Sequence, residues 1–262
     1  MNFNIVTYVS AGFASCLDLT LKSWVENSGA QEIYIYTDVE AGSGWPIGFD
    51  GHNVHTVFKY HERGDNGPAA WMRKIEVIQD ALPNSHLLVY LDADVYCTGN
   101  LSEAFNTLSL GADIGATRMF NPTRRGHGSI NAGVLFFVYD DASLKFVAEW
   151  QQLAEELRPQ GGWFEQEAAS RLLHESFDGL KDYYCTPLSE NVWNCEDDND
   201  QKWLERIEKY RPKLIHFKSG KWKNRELVDK ILFSLALEYH SVPAGASPNL
   251  KLYSWPINYN AV

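Results

Sequence analysis

Asp92 and Asp94 stand two residues apart in Leu91-Asp92-Ala93-Asp94-Val95, directly after the apolar run Leu87–Leu91. Residues two apart in extended chain point the same way, so both carboxylates face one space. Held together they repel and raise each other's pKa unless a cation lies between them. A hard divalent ion with oxygen ligands removes that conflict and can also clamp a diphosphate. The plainer alternative is a cap, with Asp94 at a following turn and Asp92 against a lysine.

Two further segments carry polar groups at the edge of apolar strands. Ile130-Asn131-Ala132-Gly133-Val134 opens a strand with an amide and a glycine. Asn131 can donate and accept toward a hydroxyl, and Gly133 permits close approach of backbone to ligand. Taken alone, this is the pattern of a turn residue and a packing glycine. Lys213-Leu214-Ile215-His216-Phe217 ends another strand at a histidine, followed by Lys218, Ser219, Gly220, Lys221 and Trp222. A lone histidine is ordinarily structural; an imidazole, a glycine turn and lysines at one strand end suit a metal and a phosphate.

The elements that must position these groups alternate. Phe3–Val9 and Glu32–Thr37 read as strands around a helix marked by Leu17, Leu21 and Trp24. The Gly-rich stretch Gly42–Gly51 breaks structure before a third strand at Val54–Phe58. Ala69–Leu82 reads as a helix ended by Pro83, and Leu87–Leu91 as a strand buried on both faces. Strands follow at Asp113–Thr117 and Ile130–Val138, then helices at Ala142–Leu157, Glu165–Leu173 and Asp200–Tyr210. A strand ending at His216 and a helix over Arg225–Tyr239 close the core. This is an α/β layout with a mixed, mainly parallel sheet flanked by helices. Residues 1–246 are expected to form one domain, and 247–262, with Tyr253, Trp255 and Tyr259, an irregular tail packed on it.

The whole chain narrows the class of partner. With 262 residues, 45% of them apolar, it is long enough for one substantial core. Its formal net charge of -11 argues against a nucleic-acid surface, but not against a diphosphate held through a metal. No apolar run reaches the length of a membrane span, and Met1–Val9 lacks a basic signal region. Cys16, Cys97, Cys185 and Cys195 are scattered without a C-x-x-C pair, which suggests neither zinc nor a disulfide framework. The expected location is cytoplasmic.

In order, strand-helix-strand, LDADV, INAGVLFF, EQEA and LIHFKSGKWK resemble the GT-A glycosyltransferases of the glycogenin and bacterial galactosyltransferase type, family eight and its relatives. The likeness runs from about Phe3 to Trp222. It implies a GT-A fold and transfer of a sugar from a nucleotide diphosphate donor, UDP-linked, with retention of anomeric configuration. By this resemblance Asp92 and Asp94 match the D-x-D that binds manganese or magnesium, and His216 the third protein ligand. Thr7, Tyr8 and Val9 line the base and ribose pocket, with Tyr8 placed to stack on uracil. Lys74, or its neighbour Arg73, contacts the nucleotide. Ala93 lies within the D-x-D; Asn131, Ala132 and Gly133 face the donor sugar; Gly220 and Lys221 hold the leaving phosphate. Glu165 grips donor hydroxyls and Gln166 sits under the anomeric carbon. The family has aspartate where Glu165 stands, so the donor sugar does not carry over, nor does the acceptor.

Some residues keep two readings. Glu165 is also a favourable first-turn helix acid. Arg124, Arg125 and His127 lie in a loop that either reaches substrate or is solvated. The acidic run Glu196–Asp200 lacks calcium-loop spacing and is expected to cap the helix beginning at Gln201. Trp163 either stacks on an acceptor sugar or packs in a core or interface. The rival functions are a nucleotidyltransferase, disfavoured by a first loop, Ser10–Ala14, with one glycine and no basic residue, and a sugar-nucleotide-binding protein without turnover.

Overall fold

The computed structural model describes residues 1–37, 54–58, 68–108, 111–118, 130–177, 179–196 and 199–239. The stretch 42–51, the loop residues Arg124, Arg125 and His127, and the tail 247–262 lie outside the described residues. In chain order the elements are β1 (Asn4–Val9), α1 (Ala14–Asn27), β2 (Glu32–Thr37), β3 (Val54–Phe58), α2 (Pro68–Ala81), β4 (Leu87–Leu91), β5 (Val95–Cys97) and α3 (Ser102–Leu108). There follow β6 (Ile114–Arg118), β7 (Ile130–Val138), α4 (Asp141–Leu157), α5 (Phe164–Phe177), β8 (Cys185–Leu188), α6 (Glu190–Trp193), α7 (Asp200–Tyr210), β9 (Leu214–His216) and α8 (Arg225–Tyr239).

Among the described residues seven strands form one sheet in the order β3-β2-β1-β4-β7-β6-β8, and β5 pairs with β9 in a separate ribbon. β1 is parallel to β2 and β4, β2 to β3, and β6 to β8; only β7 runs against its neighbours β4 and β6. The sheet is therefore mixed and mainly parallel. All five residues of β4 are buried, which is why this strand reads as an unbroken apolar run rather than an alternation.

Alternate residues of each strand feed two cores. Val6, Leu88, Tyr90, Leu135 and Phe137 meet α2, α4 and α5 on one face. Ile5, Val9, Val89, Leu91, Val134 and Phe136 meet α1 and α3 on the other. Helix α4 is held at its start by a capping box between Asp140 and Ser143, and it buries Phe146 and Trp150 completely. Burial of such a side chain is worth about 1.5–3 kcal/mol. The order turns at β1 and β4: from β1 the chain moves outward to β2 and β3, then returns to place β4 on the other side of β1. The crevice at the carboxyl ends of these two strands is the topological switch point, where open α/β sheets bind ligands. Among the described residues, no helix is long and apolar enough to cross a membrane. All four cysteines are buried and stand outside disulfides.

Candidate active site

Leu91 ends β4 at that crevice, and the backbone turns so that the Val95 N–H donates to the Asp92 carbonyl at 3.1 Å. β5 then runs antiparallel to β9, with Val95 opposite His216, and the Phe217 N–H donates to the Asp94 carbonyl at 2.9 Å. This small ribbon is what brings two distant motifs together. His216 Nε2 lies 3.0 Å from Asp94 Oδ1 and 3.9 Å from Asp92 Oδ2. The three side chains offer ligand atoms that all lie within 4.8 Å of one another. The cap alternative for Asp94 fails, since its side chain meets His216 rather than a helix start.

Two carboxylates and an imidazole suit a divalent cation, and the backbone makes room for them. A methyl group on Gly133 would stand 2.5 Å from His216 Cε1 and 2.7 Å from Asp92 Oδ2. The Gly133 carbonyl also accepts the Asp92 N–H at 2.8 Å. Gly133 is thus a wall of the carboxylate–imidazole cluster, and only hydrogen fits there.

Lys74 closes the cluster from α2. Its Nζ lies 3.2 Å from Asp92 Oδ1 and 3.3 Å from Glu165 Oε1. Burial disfavours its charge, but Asp92 and Glu165 outweigh that and hold its pKa above the ordinary value. The Tyr90 hydroxyl donates to Asp92 Oδ1 at 2.8 Å; burial first, then Asp92, pushes its pKa well up, so it stays a donor. Glu165 is 2% exposed, and its Oε2 is buried with no hydrogen-bond partner. A buried carboxylate oxygen without a donor is costly.

The other expected residues fall around this centre to different degrees. Thr7 is fully buried at the end of β1, and its Oγ1 is unpaired. Tyr8 points to the opposite face and is half-buried; Val9 is wholly buried in the core, so it can offer a ligand only its backbone. Ala93 spends its carbonyl on the Thr20 hydroxyl at 2.7 Å, and the Ala132 side chain is also core. Asn131 uses Oδ1 to accept the Gly133 N–H at 2.9 Å. Gln166 is largely buried in the first turn of α5, next to Glu165. Of the two basic candidates on α2, Lys74 reaches the carboxylates, while Arg73 pairs with Glu76 at 2.6 Å. Gly220 has φ +74°, which makes it the glycine of a tight turn. Lys221 follows it, with its ammonium 2.6 Å from Asp200 Oδ1 and over the Trp203 ring. Trp163 is 46% exposed and stacks on Trp71, with ring centroids 5.2 Å apart.

Sequence reasoning passed over Asn194 and placed Glu196 only in a run expected to cap a helix. Within the run Glu196–Asp200 it is Asn199 that caps α7, accepting the Lys202 N–H at 3.0 Å. Glu196 turns inward, where Asn131 Nδ2 donates to it at 2.8 Å and Lys218 Nζ at 2.5 Å. Its Oε2 is 3.7 Å from His216 Nδ1. Asn194 Oδ1 lies 2.9 Å from the same Nδ1, and its Nδ2 donates to Thr117 Oγ1 at 3.0 Å. The available signal was spacing: Asn194 and Glu196 flank the core residue Cys195, as Asp92 and Asp94 flank Ala93.

The mixed sheet thus carries paired carboxylates, an imidazole and a buried lysine at its switch point, a group that fits a divalent cation. The sequence profile of the nucleotide-diphospho-sugar transferase family matches residues 16–230, and the chain belongs to that family. No curated protein sequence gives a significant match. Among solved structures, the glycosyltransferase GlyE of Streptococcus pneumoniae TIGR4 is similar with a TM-score of 0.59 at 16% identity. That match covers 91% of this chain and 63% of the GlyE chain, so this chain spans less than two thirds of that protein's length. A glycosyltransferase involved in glycosylation of the major capsid of PBCV-1 matches with TM-score 0.53 and 14% identity, over 88% of this chain and 98% of that one. Mouse xyloside xylosyltransferase 1 matches with TM-score 0.54 and 11% identity, over 84% and 99%. The fold is that of GT-A glycosyltransferases.

Proposed function

We propose that the protein transfers a sugar from a UDP-linked donor to an acceptor hydroxyl, with manganese or magnesium held by Asp92, Asp94 and His216. The observation that carries this reading is the pairing of that ligand group with Glu165, whose unpartnered Oε2 is linked to it through Lys74. One side suits a diphosphate and the other a sugar hydroxyl. The ion, when bound, neutralises the departing diphosphate.

The chain's own residues supply the rest. At the carboxyl end of β1 the half-buried ring of Tyr8 is assigned to the face of the base, and Thr7, whose side chain lies on the opposite face of the strand, offers the ligand its backbone. Lys74 holds Glu165 in place through Oε1, which leaves Glu165 Oε2 to accept from a donor-sugar hydroxyl. Asn131 and Gly133 shape the wall beside the sugar. Gln166, one residue on, lies under the anomeric carbon, where positive charge develops in an oxocarbenium-like transition state. Lys221 reaches the leaving phosphate from its glycine turn by exchanging Asp200 for it.

A panel of nucleotide sugars assayed for free UDP, with and without acceptor and with manganese or chelator, tests this. Metal-dependent, acceptor-stimulated UDP release is expected. Pyrophosphate release would instead mean nucleotidyl transfer. Binding without any release would leave a sugar-nucleotide-binding protein.

A further inference from the structure

We infer that Asn194 is a positioning residue for the metal site: it fixes the hydrogen of His216 on Nδ1, so that Nε2 presents its lone pair to the space shared with Asp92 and Asp94. The inference rests on the metal reading above and concerns a residue outside its three ligands.

An imidazole can ligate a cation only through a nitrogen that carries no hydrogen, and the partner of the other nitrogen decides which one that is. Around His216 Nδ1 the structure places two oxygens, Asn194 Oδ1 at 2.9 Å and Glu196 Oε2 at 3.7 Å. Both favour hydrogen at Nδ1. Asn194 is fully buried, and its Nδ2 donates at 3.0 Å to the hydroxyl of Thr117, itself fully buried. The reversed amide would set a lone pair of Nδ1 against the Glu196 carboxylate, so the charge of Glu196 selects the observed orientation. Glu196 is in turn pinned by Asn131 and Lys218. The bulge of β6 between Ala116 and Thr117 sets Thr117 opposite Asn131 in the register of β6 and β7. A chain of hydrogen bonds thus runs from β6 through Thr117 and Asn194 to the imidazole.

The test uses manganese alone, titrated into the full chain and followed by the electron paramagnetic resonance of free Mn2+. Asn194→Leu should weaken Mn2+ binding by about 10–100-fold. Asn194→Asp, which keeps an acceptor at Nδ1, should bind within about threefold of the unaltered protein. Long-range proton–nitrogen NMR of the unaltered protein loaded with Mg2+ should show hydrogen on Nδ1 of His216, a readout that needs no variant to fold. Equal affinity in the leucine variant, failure of aspartate to rescue, or a bare Nδ1 would overturn the inference while leaving the metal reading intact. Absence of Mn2+ binding by the unaltered protein would overturn the metal reading and this inference with it.

Discussion

His216 Nε2 lies 3.0 Å from Asp94 Oδ1, so these two residues share a proton in the space assigned to the proposed cation. Burial works against the charge of His216, but Asp94, Glu196 and Asp92 overcome it and hold its pKa above 6.5. Burial likewise opposes the Asp94 carboxylate, and His216 holds its pKa below 3.8. The signs then follow. Asp94's stabilisation is complete above pH 3.8 and is lost as pH falls through its lowered pKa; His216's is complete below pH 6.5 and is lost as pH rises through its raised one. With chelator, resistance to urea should be greatest between pH 3.8 and 6.5 and decline above, and Asp94→Asn should flatten that decline. Saturating Mn2+ should restore stability on the alkaline side, because binding requires a neutral imidazole. Urea midpoints across pH decide it; chelated protein that gains stability above pH 6.5 would contradict the shared proton.

Lys74 sits between Asp92 and Glu165, and its removal should be costly before any chemistry is measured. Glu165 is 2% exposed, so Lys74→Met leaves a buried carboxylate without its cation. Breaking a buried pair from one side costs about 3–5 kcal/mol. The low end is expected here, since the Asp92 side chain retains 28% exposure. Adding Glu165→Leu should recover more than about 1 kcal/mol of that loss. Urea unfolding of the two variants is the measurement, and a single-variant loss under about 1 kcal/mol would show that the pair does not support the fold.

Gly133→Ala forces a methyl group to within 2.5 Å of His216 Cε1 and 2.7 Å of Asp92 Oδ2. Crowding of this kind costs about 1–3 kcal/mol. Because the clash falls on two of the proposed ligands, Mn2+ affinity should drop by about tenfold or more. Gly115→Ala is the control: its methyl group would meet Leu108 Cδ1 at 2.8 Å, in the core. It should lose similar stability and keep Mn2+ affinity. Equal metal affinity in both variants would remove Gly133 from the site.

How much of this was readable in the sequence depends on length and on contact order. The strands Glu32–Thr37, Val54–Phe58, Leu87–Leu91 and Ile130–Val138 have the same ends in sequence and structure, because an apolar run bounded by polar or turn residues marks a buried strand on its own. The short pieces β5, β8, α3 and α6 were not readable: three to seven residues hold too little periodicity, and their stability comes from partners far along the chain. β5 matters most, since pairing with β9 is what joins Asp94 to His216. The D-x-D and the histidine could be named from residue type. That Lys74 rather than Arg73 faces them could not, because adjacent residues on a helix differ by one step of rotation and only packing fixes the phase. The inward turn of Glu196 is hidden for a related reason: the run Glu196–Asp200 reads as a helix start and does supply the cap at Asn199, whereas Asn131 and Lys218 draw Glu196 itself inward.

The remaining prediction is stereochemical and turns on Gln166. Inversion needs a carboxylate base beside the acceptor hydroxyl, on the side opposite the leaving group. The two carboxylates that flank Gln166 are otherwise engaged. Glu165 is bound to Lys74 at 3.3 Å, and Glu167 pairs with Arg171 one turn along α5. Side chains two apart on a helix diverge, so Glu167 points away from any sugar that Glu165 holds. An amide is no general base near neutral pH, and the departing diphosphate can itself accept the acceptor's proton in attack from the same face. Retention follows: an α-linked donor should give an α-linked product. Gln166→Ala should lower kcat by on the order of 10²-fold through lost positioning, without abolishing turnover. The proton NMR signal of the product's anomeric centre settles the outcome, and a β-linked product would sink this mechanism while leaving the GT-A fold untouched.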